Sequence, residues 1–354
     1  MHCLYFNLLL SLHLVITKET IEKRIQLKND EKKWLVDSSP LPLLVTDFFF
    51  SLIDPDDPDD PIRRQVIPSV LENSLEDMLD PLKEVDYSVT ERLIHHYTNR
   101  CALLTTDRCF TYCRHCFRRR FTGTSSGPIS EKQIDDAMEY LKEHAEVKEL
   151  LLTGGDLFTL SDERLDYLFS SLRRTREDII QRLCTRAVAT NPERFTTRLM
   201  DIIRKHNHGA PFILMTQFNH PRELNERSIA AVSAFIDMGI PAFNQSVLLK
   251  GVNDDVDVLE ELSNKLLFNR IKPYYLFQGD QVCGTRHLRV DVVRGLELEE
   301  ELRKRVSGLA MPQYTADLPQ GGGKVILTRQ YLKEIHEDHV VFTTPDGEER
   351  SYPR

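Results

Sequence analysis

Short apolar runs alternate with helical segments through most of this 354-residue chain, and this alternation limits the fold more than any other feature. Ser130 is placed to cap a helix that runs through Leu141, and the segment 149–153 is predicted to be a buried strand. Further strands are predicted at 186–189, 212–215, 242–248 and 273–277. Repeated strand–helix–strand order predicts an α/β fold with a parallel sheet, closed or partly closed into a barrel, and functional groups at the carboxyl ends of the strands.

Three cysteines follow an earlier predicted strand, 102–106, at a C-x3-C-x2-C spacing: Cys109, Cys113 and Cys116. A [4Fe–4S] cluster that only carries electrons takes a thiolate on each iron, so three cysteines predict a cluster with one iron open to a non-protein ligand. A zinc site and buried structural thiols are the alternatives. Zinc usually takes a fourth Cys or His, and His115 is too tightly placed to complete a tetrahedron with both neighbouring thiols.

The composition favours an enzyme of a reducing compartment. The chain has seven cysteines, three of them in one loop, which is not the dense framework of a disulfide-rich secreted domain. We therefore expect a cytoplasmic protein. A formal net charge of −9 argues against nucleic acid or an anionic membrane as a partner. The apolar run within residues 1–16 lacks a basic start and a cleavage site, and it is too short for a membrane span.

The chain divides into three predicted regions. Residues 1–99 are expected to form an N-terminal helical region, interrupted by an extended connector at 54–61 where prolines alternate with aspartates. Residues 100–290 are expected to form the barrel core. Residues 291–354 are expected to form a C-terminal region that carries Lys324.

Two of the predicted strands carry candidate ligand-binding residues, one directly after its end and the other within it. Gly154, Gly155 and Asp156 come directly after 149–153, where the glycines allow close approach of the backbone and the acid can accept a hydrogen bond from an ammonium group. An ordinary turn is the alternative for this motif. Gln245 lies on a later strand, where its amide is either a ligand for a carboxylate or a satisfied polar group of the barrel wall.

Lys324 follows three consecutive glycines. An open, mobile backbone suits an amine that must form and exchange a covalent bond with a cofactor. The alternative is a flexible surface loop with a solvated lysine.

Taken in order, these motifs resemble the lysine 2,3-aminomutase family, the pyridoxal-phosphate-dependent enzymes of the radical S-adenosylmethionine superfamily. The resemblance runs from the Asp-Pro connector to Lys324, and it includes the following segments: CRHCFRRRF at 113–121, FNHP at 218–221, NQSVLL at 244–249, KPYY at 272–275 and GGGK at 321–324. It implies a partial parallel (β/α) barrel of the radical S-adenosylmethionine type, with a C-terminal pyridoxal-phosphate loop region.

The resemblance also implies three cofactors and their ligands. Cys109, Cys113 and Cys116 would hold a [4Fe–4S] cluster. S-adenosyl-L-methionine would be bound by four residues: Gly154, Gly155, Asp156 and Gln245. Pyridoxal 5'-phosphate would be carried by Lys324, with its phosphate on Arg100.

For the substrate, the resemblance implies that Arg118 binds the carboxylate and that Asp280 and Asp317 bind a distal ammonium group. Two acids would repel a substrate with a side-chain carboxylate, so L-lysine is favoured over glutamate. The implied reaction moves the α-amino group of L-lysine to the β-carbon and gives β-lysine. The implied partners are an electron donor such as flavodoxin or ferredoxin and a second copy of the chain in a homo-oligomer.

Two other functions stay open. A related branch of the family makes (R)-β-lysine for attachment to elongation factor P. The chain could also be an iron–sulfur or pyridoxal-phosphate binding protein without aminomutase turnover. The chain departs from the family at the structural zinc, because Asp255 stands where a zinc-ligating Cys is usual and no Cys follows Cys283. We therefore expect this zinc to be absent.

Overall fold

The computed structural model describes residues 15–37, 40–329, 331–344 and 347–354. Most of the apolar run within residues 1–16 therefore lies outside the described residues. None of the helices within these four ranges is long and apolar enough to cross a membrane.

In its described part, the N-terminal region combines three short α-helices with a two-stranded sheet. The helices are α1 (Asn29–Val36), α2 (Asp47–Phe50) and α3 (Pro61–Val66), and the strands are β1 (Val15–Thr17) and β2 (Leu44–Thr46). The predicted connector ends one residue early, because Pro61 is the first residue of α3 and the Asp60 carboxylate accepts hydrogen bonds from the Ile62 and Arg63 N–H groups. Proline is tolerated at this position, since the first turn of a helix leaves its N–H groups without partners.

A nine-stranded sheet forms the centre of the molecule. Its strands are β3 (Leu93–Tyr97), β4 (Arg100–Thr106), β5 (Glu149–Gly154), β6 (Ile180–Cys184), β7 (Phe212–Thr216), β8 (Ala242–Leu248), β9 (Ile271–Gln278), β10 (Gln313–Leu318) and β11 (Gly323–Ile326). They lie side by side in chain order. Strands β4 to β10 are parallel to one another, whereas β3 and β11 run antiparallel at the two edges.

The two edges of this sheet approach each other without pairing. Among the described residues no ladder joins β3 to β11. A Cβ added to Gly323 in β11 would lie 3.9 Å from the Tyr97 hydroxyl of β3, and the Gln320 N–H donates to the Pro81 carbonyl at 2.7 Å. The sheet is therefore a partial barrel, which confirms the predicted fold class.

Seven further α-helices accompany the strands: α4 (Glu131–Glu143), α5 (Asp162–Thr175), α6 (Ala187–Thr190), α7 (Thr197–His206), α8 (Glu226–Ile236), α9 (Val256–Phe268) and α10 (Val292–Arg305). The start of α4 is confirmed, because the Ser130 hydroxyl accepts a hydrogen bond from the Gln133 N–H. Parallel neighbours need such crossovers. Apolar residues of α4 to α8 join those of the strands in the main buried cluster, whereas α10 packs on Leu248, Leu276 and Tyr314 in a second one.

The predicted strand at 186–189 is wrong. The strand is β6, a few residues earlier, and residues 187–190 form the short buried helix α6. The sequence is misleading here because β6 carries polar side chains, among them Arg182, which pairs with Glu149 on β5. The apolar residues of α6 are buried. The start of this helix is held by the Asp156 carboxylate, which accepts hydrogen bonds from the N–H groups of Arg186 and Ala187.

A small antiparallel sheet follows the large one. It contains β12 (Leu332–Ile335), β13 (His339–Thr343) and β14 (Glu349–Pro353), in the order β12-β13-β14. None of the residues in these three strands is buried. This sheet therefore has no hydrophobic core of its own.

Candidate active site

Two adjoining cavities lie within the curled sheet, and together they are lined by all twelve residues that sequence analysis singled out. The first contains the three cysteines, the Gly-Gly-Asp motif and Asp280. The second contains Arg100 and Lys324. The cavities share seven lining residues: Phe117, Arg118, Thr153, Cys184, Gln245, Phe277 and Asp317. The sheet thus gathers residues that are more than 200 positions apart in the sequence.

The cysteine loop is held from below by the N-terminal region. The Tyr112 N–H donates to the Leu44 carbonyl at 2.9 Å, and the Arg114 N–H donates to the backbone carbonyl of Gln65 at 2.8 Å. The Arg114 side chain is fully buried and pairs with Glu72. These contacts fix the loop in the structure, so the N-terminal region is part of the site's scaffold.

The three thiols are the candidate ligands of a [4Fe–4S] cluster. Cys109, Cys113 and Cys116 are free and line one cavity. Within the described ranges, no group of three or more His, Cys, Asp and Glu side chains is placed to hold a metal ion. A [4Fe–4S] cluster takes each cysteine on a different iron, so its ligands need not converge on one point. Burial raises the pKa of the Cys109 and Cys116 thiols, so bound iron would be needed to favour their thiolate forms.

A buried arginine that sequence analysis missed lies against this loop. The Arg186 Nη1 donates to the Cys113 Sγ at 2.8 Å, and its Nη2 donates to the Glu223 carboxylate at 3.0 Å. Arg186 follows the carboxyl end of β6, which is where functional groups were expected. A position directly after a strand is the sequence signal for such a residue. The predicted strand at 186–189 hides this signal because it includes Arg186 itself.

The Gly-Gly-Asp motif packs directly on the start of the cysteine loop. Gly154 has a φ of +119°, which favours glycine, and a Cβ on Gly155 would meet the Arg108 carbonyl oxygen at 2.2 Å. The Asp156 carboxylate accepts hydrogen bonds from the Thr185 hydroxyl and from the N–H groups of Phe158, Arg186 and Ala187. Its oxygens are therefore engaged within the protein, although the residue lines the cavity.

Neighbouring residues of β8 have opposite roles. The Asn244 side chain is buried and bonds to both the N–H and the carbonyl of Phe218, so it is a satisfied polar group of the barrel wall. Gln245 points to the other face of the strand and lines both cavities. This alternation follows from the two-residue period of a strand.

Lys324 lies in a regular strand, so the alternative of a flexible loop with a solvated lysine is wrong. In β11 it is directly opposite Asp317 of β10, and its Nζ donates to the Asp317 carboxylate at 2.6 Å. The Nζ also lies 4.1 Å from the centroid of the Phe277 ring. Burial lowers the pKa of the Lys324 amine, and the Asp317 charge opposes that effect.

Arg100 is the first residue of β4 and lines the same cavity as Lys324. Its guanidinium lies 3.8 Å from the centroid of the Tyr97 ring. Arg182 lines this cavity too. Arg182 is paired with Glu149, so Arg100 is the one of these two guanidinium groups that we assign to a phosphate group.

Arg118 is held by an acid that sequence analysis missed. The Glu84 carboxylate accepts from Arg118 Nε and Nη2, the latter at 2.6 Å, while Nη1 donates to the Thr153 hydroxyl at 3.1 Å. Glu84 also pairs with Arg120. Its position in the turns before β3 gave no periodic signal by which it could have been identified.

Asp280 and Asp317 are close enough to influence each other. Burial, followed by repulsion from Asp317, raises the pKa of Asp280 to about 7, while Lys324 and Arg118 act in the opposite direction. In the structure Asp317 is paired with Lys324, whereas the Asp280 carboxylate makes no hydrogen bond with another described residue. The cavity therefore has one acid whose charge is unbalanced and that would gain from a cationic ligand.

Comparison with known proteins gives matches over nearly the whole chain. Residues 103–262 match the family model described as the Radical SAM superfamily, and residues 299–354 match that described as Lysine-2,3-aminomutase. An L-lysine 2,3-aminomutase of Clostridium subterminale is 40% identical over 334 residues, which cover 94% of this chain and 80% of that protein. A glutamate 2,3-aminomutase of Clostridioides difficile (strain 630) is 37% identical over 332 residues, which cover 93% and 78%.

Among solved structures, a radical SAM methyltransferase from Sphaerobacter thermophilus matches with a TM-score of 0.44 and 16% sequence identity. The match covers 64% of this chain and 68% of that one.

Proposed function

Because the chain belongs to the lysine 2,3-aminomutase family of radical S-adenosylmethionine enzymes, we propose that it is an isomerase that converts L-lysine into β-lysine. The reaction moves the amino group from the α-carbon to the β-carbon. Support comes from the 40% identity to an L-lysine 2,3-aminomutase and from the arrangement of charged residues in the two cavities.

The observation that carries the choice of substrate is the placement of acids and bases along the cavities. Arg118, whose guanidinium is held by Glu84 and Thr153, lines the cavity as the proposed partner of a carboxylate, and Asp280 and Asp317 line the same cavity for a distal ammonium group. A relative named glutamate 2,3-aminomutase is almost as similar in sequence, so similarity alone does not choose between lysine and glutamate. The second carboxylate of glutamate would meet Asp280, which has no cation paired to it, and the repulsion favours lysine.

The cofactors would be held by the residues that line the cavities. Cys109, Cys113 and Cys116 would hold the [4Fe–4S] cluster, and Gly154, Gly155 and Gln245 would contact S-adenosyl-L-methionine, with Asp156 fixing the turn around it. Lys324 and Arg100 would hold pyridoxal 5'-phosphate. When bound, these groups supply the radical that starts the reaction and the conjugated system through which the amino group migrates.

The chain's own residues then position the substrate. Glu84 and Thr153 fix the guanidinium of Arg118, so that a bound carboxylate meets an ordered partner. Phe117 and Phe277 line both cavities, as Arg118 and Asp317 do, and give the shared wall an apolar surface. Burial keeps the Lys324 amine closer to its neutral, nucleophilic form.

We further propose that the protein works in the cytoplasm, takes electrons from a flavodoxin or ferredoxin and forms a homo-oligomer. The free thiols of the cysteine loop support a reducing compartment. The three regions 1–99, 100–290 and 291–354 are proposed as its domain organisation, with β10 and the Lys324 strand in the last.

The test is anaerobic incubation of reconstituted protein with dithionite, S-adenosyl-L-methionine and either L-lysine or L-glutamate, followed by chiral analysis of the products. We expect β-lysine as the main product and little turnover of glutamate. The configuration of the product distinguishes the branch that serves elongation factor P. Cofactor cleavage without any β-amino acid, or equal turnover of both substrates, would contradict the proposal.

A controlled variant tests the assignment of Lys324. Borohydride reduction of the resting enzyme should attach pyridoxal phosphate to Lys324, and Lys324→Ala should lose this label but keep its iron. Lys250 and Lys272 serve as internal controls, since neither lines the two cavities. A label on either of them would overturn the assignment.

A further inference from the structure

We propose that Arg186 is a positioning residue for the iron–sulfur cluster. Its guanidinium N–H group holds the Cys113 sulfur, and its positive charge raises the reduction potential of the cluster. The contact is direct, with 2.8 Å between Arg186 Nη1 and Cys113 Sγ. Arg186 does not lie in the cysteine loop, and it approaches the loop from the end of β6. The inference rests on the proposed function only in taking the three thiols as the cluster ligands.

Arg186 is fixed on three sides. Its Nη2 donates to Gln65 Oε1 at 2.5 Å and to Glu223 Oε2 at 3.0 Å. Its backbone N–H donates to the Asp156 carboxylate at 2.8 Å. Because the backbone and the far side of the guanidinium are both held, the Nη1 donor has little freedom to leave the sulfur.

The partner acid is itself part of the fold. Glu223 is fully buried, and its Oε1 accepts the N–H groups of Asn219 and His220 and the amide of Gln65. This arrangement leaves Oε2 for Arg186. The guanidinium therefore lies between a fixed carboxylate and the Cys113 sulfur, and its positive charge interacts with both.

This geometry has a defined effect on an iron–sulfur cluster. Hydrogen bonds to the ligating sulfurs and nearby positive charge stabilise the reduced form more than the oxidised form, because the reduced form carries one more negative charge. Removal of the Arg186 charge should therefore lower the reduction potential. Removal of the Glu223 charge should raise it, since the guanidinium is then no longer balanced.

The experiment is an anaerobic redox titration of the reconstituted protein without S-adenosylmethionine, followed by electron paramagnetic resonance. We compare wild type, Arg186→Gln, Glu223→Gln and the control Arg194→Gln. Arg194 is equally buried, bonds to the Phe158 and Leu160 carbonyls and pairs with Asp162, and among the described residues none of its hydrogen bonds or ion pairs reaches the cysteine loop. The Arg186→Gln variant should shift the equilibrium towards the oxidised cluster about tenfold, which corresponds to about 59 mV for one electron.

Shifts of opposite sign in Arg186→Gln and Glu223→Gln, with none in Arg194→Gln, would support the inference. Equal potentials in Arg186→Gln and wild type, or shifts of the same sign in both variants, would overturn it. If Arg186→Gln does not assemble a cluster, the sign of the Glu223→Gln shift decides. A wild-type protein that assembles no [4Fe–4S] cluster would instead overturn the proposed function, and iron content and absorbance report this separately.

Discussion

At the scale of single residues, the acids of the cavities differ in their partners. Asp317 is directly opposite Lys324 in the β10–β11 ladder and pairs with its amine. Asp280 has a pKa raised to about 7 by burial and by Asp317. Two acids that look equivalent in the sequence therefore have different surroundings, because Asp317 is paired with the Lys324 amine and Asp280 has no hydrogen-bonded cation among the described residues.

This difference predicts a pH dependence. As the pH falls through about 7, Asp280 gains a proton and loses its attraction for the lysine ammonium group, so kcat/KM for lysine should fall. In Asp317→Asn the repulsion is gone, so the pKa of Asp280 should decrease and the fall in kcat/KM should move to lower pH. The measurement is a pH profile of kcat/KM for both proteins. An identical midpoint in the two profiles would show that the acids do not interact.

At the scale of elements, the Gly-Gly-Asp turn packs against the cysteine loop more tightly than a side chain allows. A Cβ on Gly155 would lie 2.2 Å from the Arg108 carbonyl oxygen, so Gly155→Ala must displace the backbone before Cys109. We expect a loss of about 1–3 kcal/mol in the free energy of unfolding and weaker iron binding. Urea unfolding and iron analysis measure the two effects.

The matched control is Gly308→Ala. No atom lies within 4 Å of a Cβ at Gly308, and its backbone is not left-handed. Alanine should therefore change stability by less than about 1 kcal/mol, in the stabilising direction. Similar losses in both variants would mean that the effect at Gly155 comes from glycine's backbone freedom and not from the contact with Arg108.

The buried ion pair between Glu72 and Arg114 connects the N-terminal region to the cysteine loop, and it predicts a second effect on this element. Glu72 also pairs with Arg119, so Glu72→Gln leaves two buried guanidinium groups without a counter-charge. Loss of one partner of such a pair costs about 3–5 kcal/mol. Thermal or urea unfolding should show this loss. Glu139→Gln, which removes an exposed pair with Lys142, should have little effect.

The sequence predicted the elements whose signals are local. The helix capped by Ser130 has apolar residues at helical spacing, β5 and β7 are short apolar runs, and β8 has the predicted bounds. The cysteine spacing needs no tertiary context. The errors came where tertiary contacts decide. Arg182 could not be recognised as a strand residue without its partner Glu149, and the glycines before Lys324 form a hairpin because β10 provides the neighbouring strand.

The candidate site follows the same rule. Motif spacing was enough to single out the residues that line the cavities, but not the residues that hold them. Glu84 and Arg186 act through contacts with residues 34 and 73 positions away. A sequence without its fold does not contain those pairings.

At the scale of the whole molecule, stability is unevenly distributed. The main buried cluster belongs to the large sheet and its helices and another lies in the N-terminal region, whereas no residue of β12, β13 or β14 is buried. We expect the amides of these three strands to exchange with solvent faster than those of β4 to β8, because little apolar contact opposes their opening. Hydrogen exchange with mass spectrometry measures this. Equal protection in both sheets would show that another surface covers the small one.

The edge strands β3 and β11 lie next to each other along a line without a ladder of backbone hydrogen bonds among the described residues. Spreading the sheet between any other neighbouring strands would break a ladder of backbone hydrogen bonds, whereas separating β3 from β11 breaks none among the described residues. The Gln320–Pro81 bond is the backbone contact that the described residues show across this line. Lys324 and Tyr97 line the cavity from opposite sides of it. Separation of β3 from β11 is therefore the one opening of this sheet that would leave every strand ladder of the described residues intact.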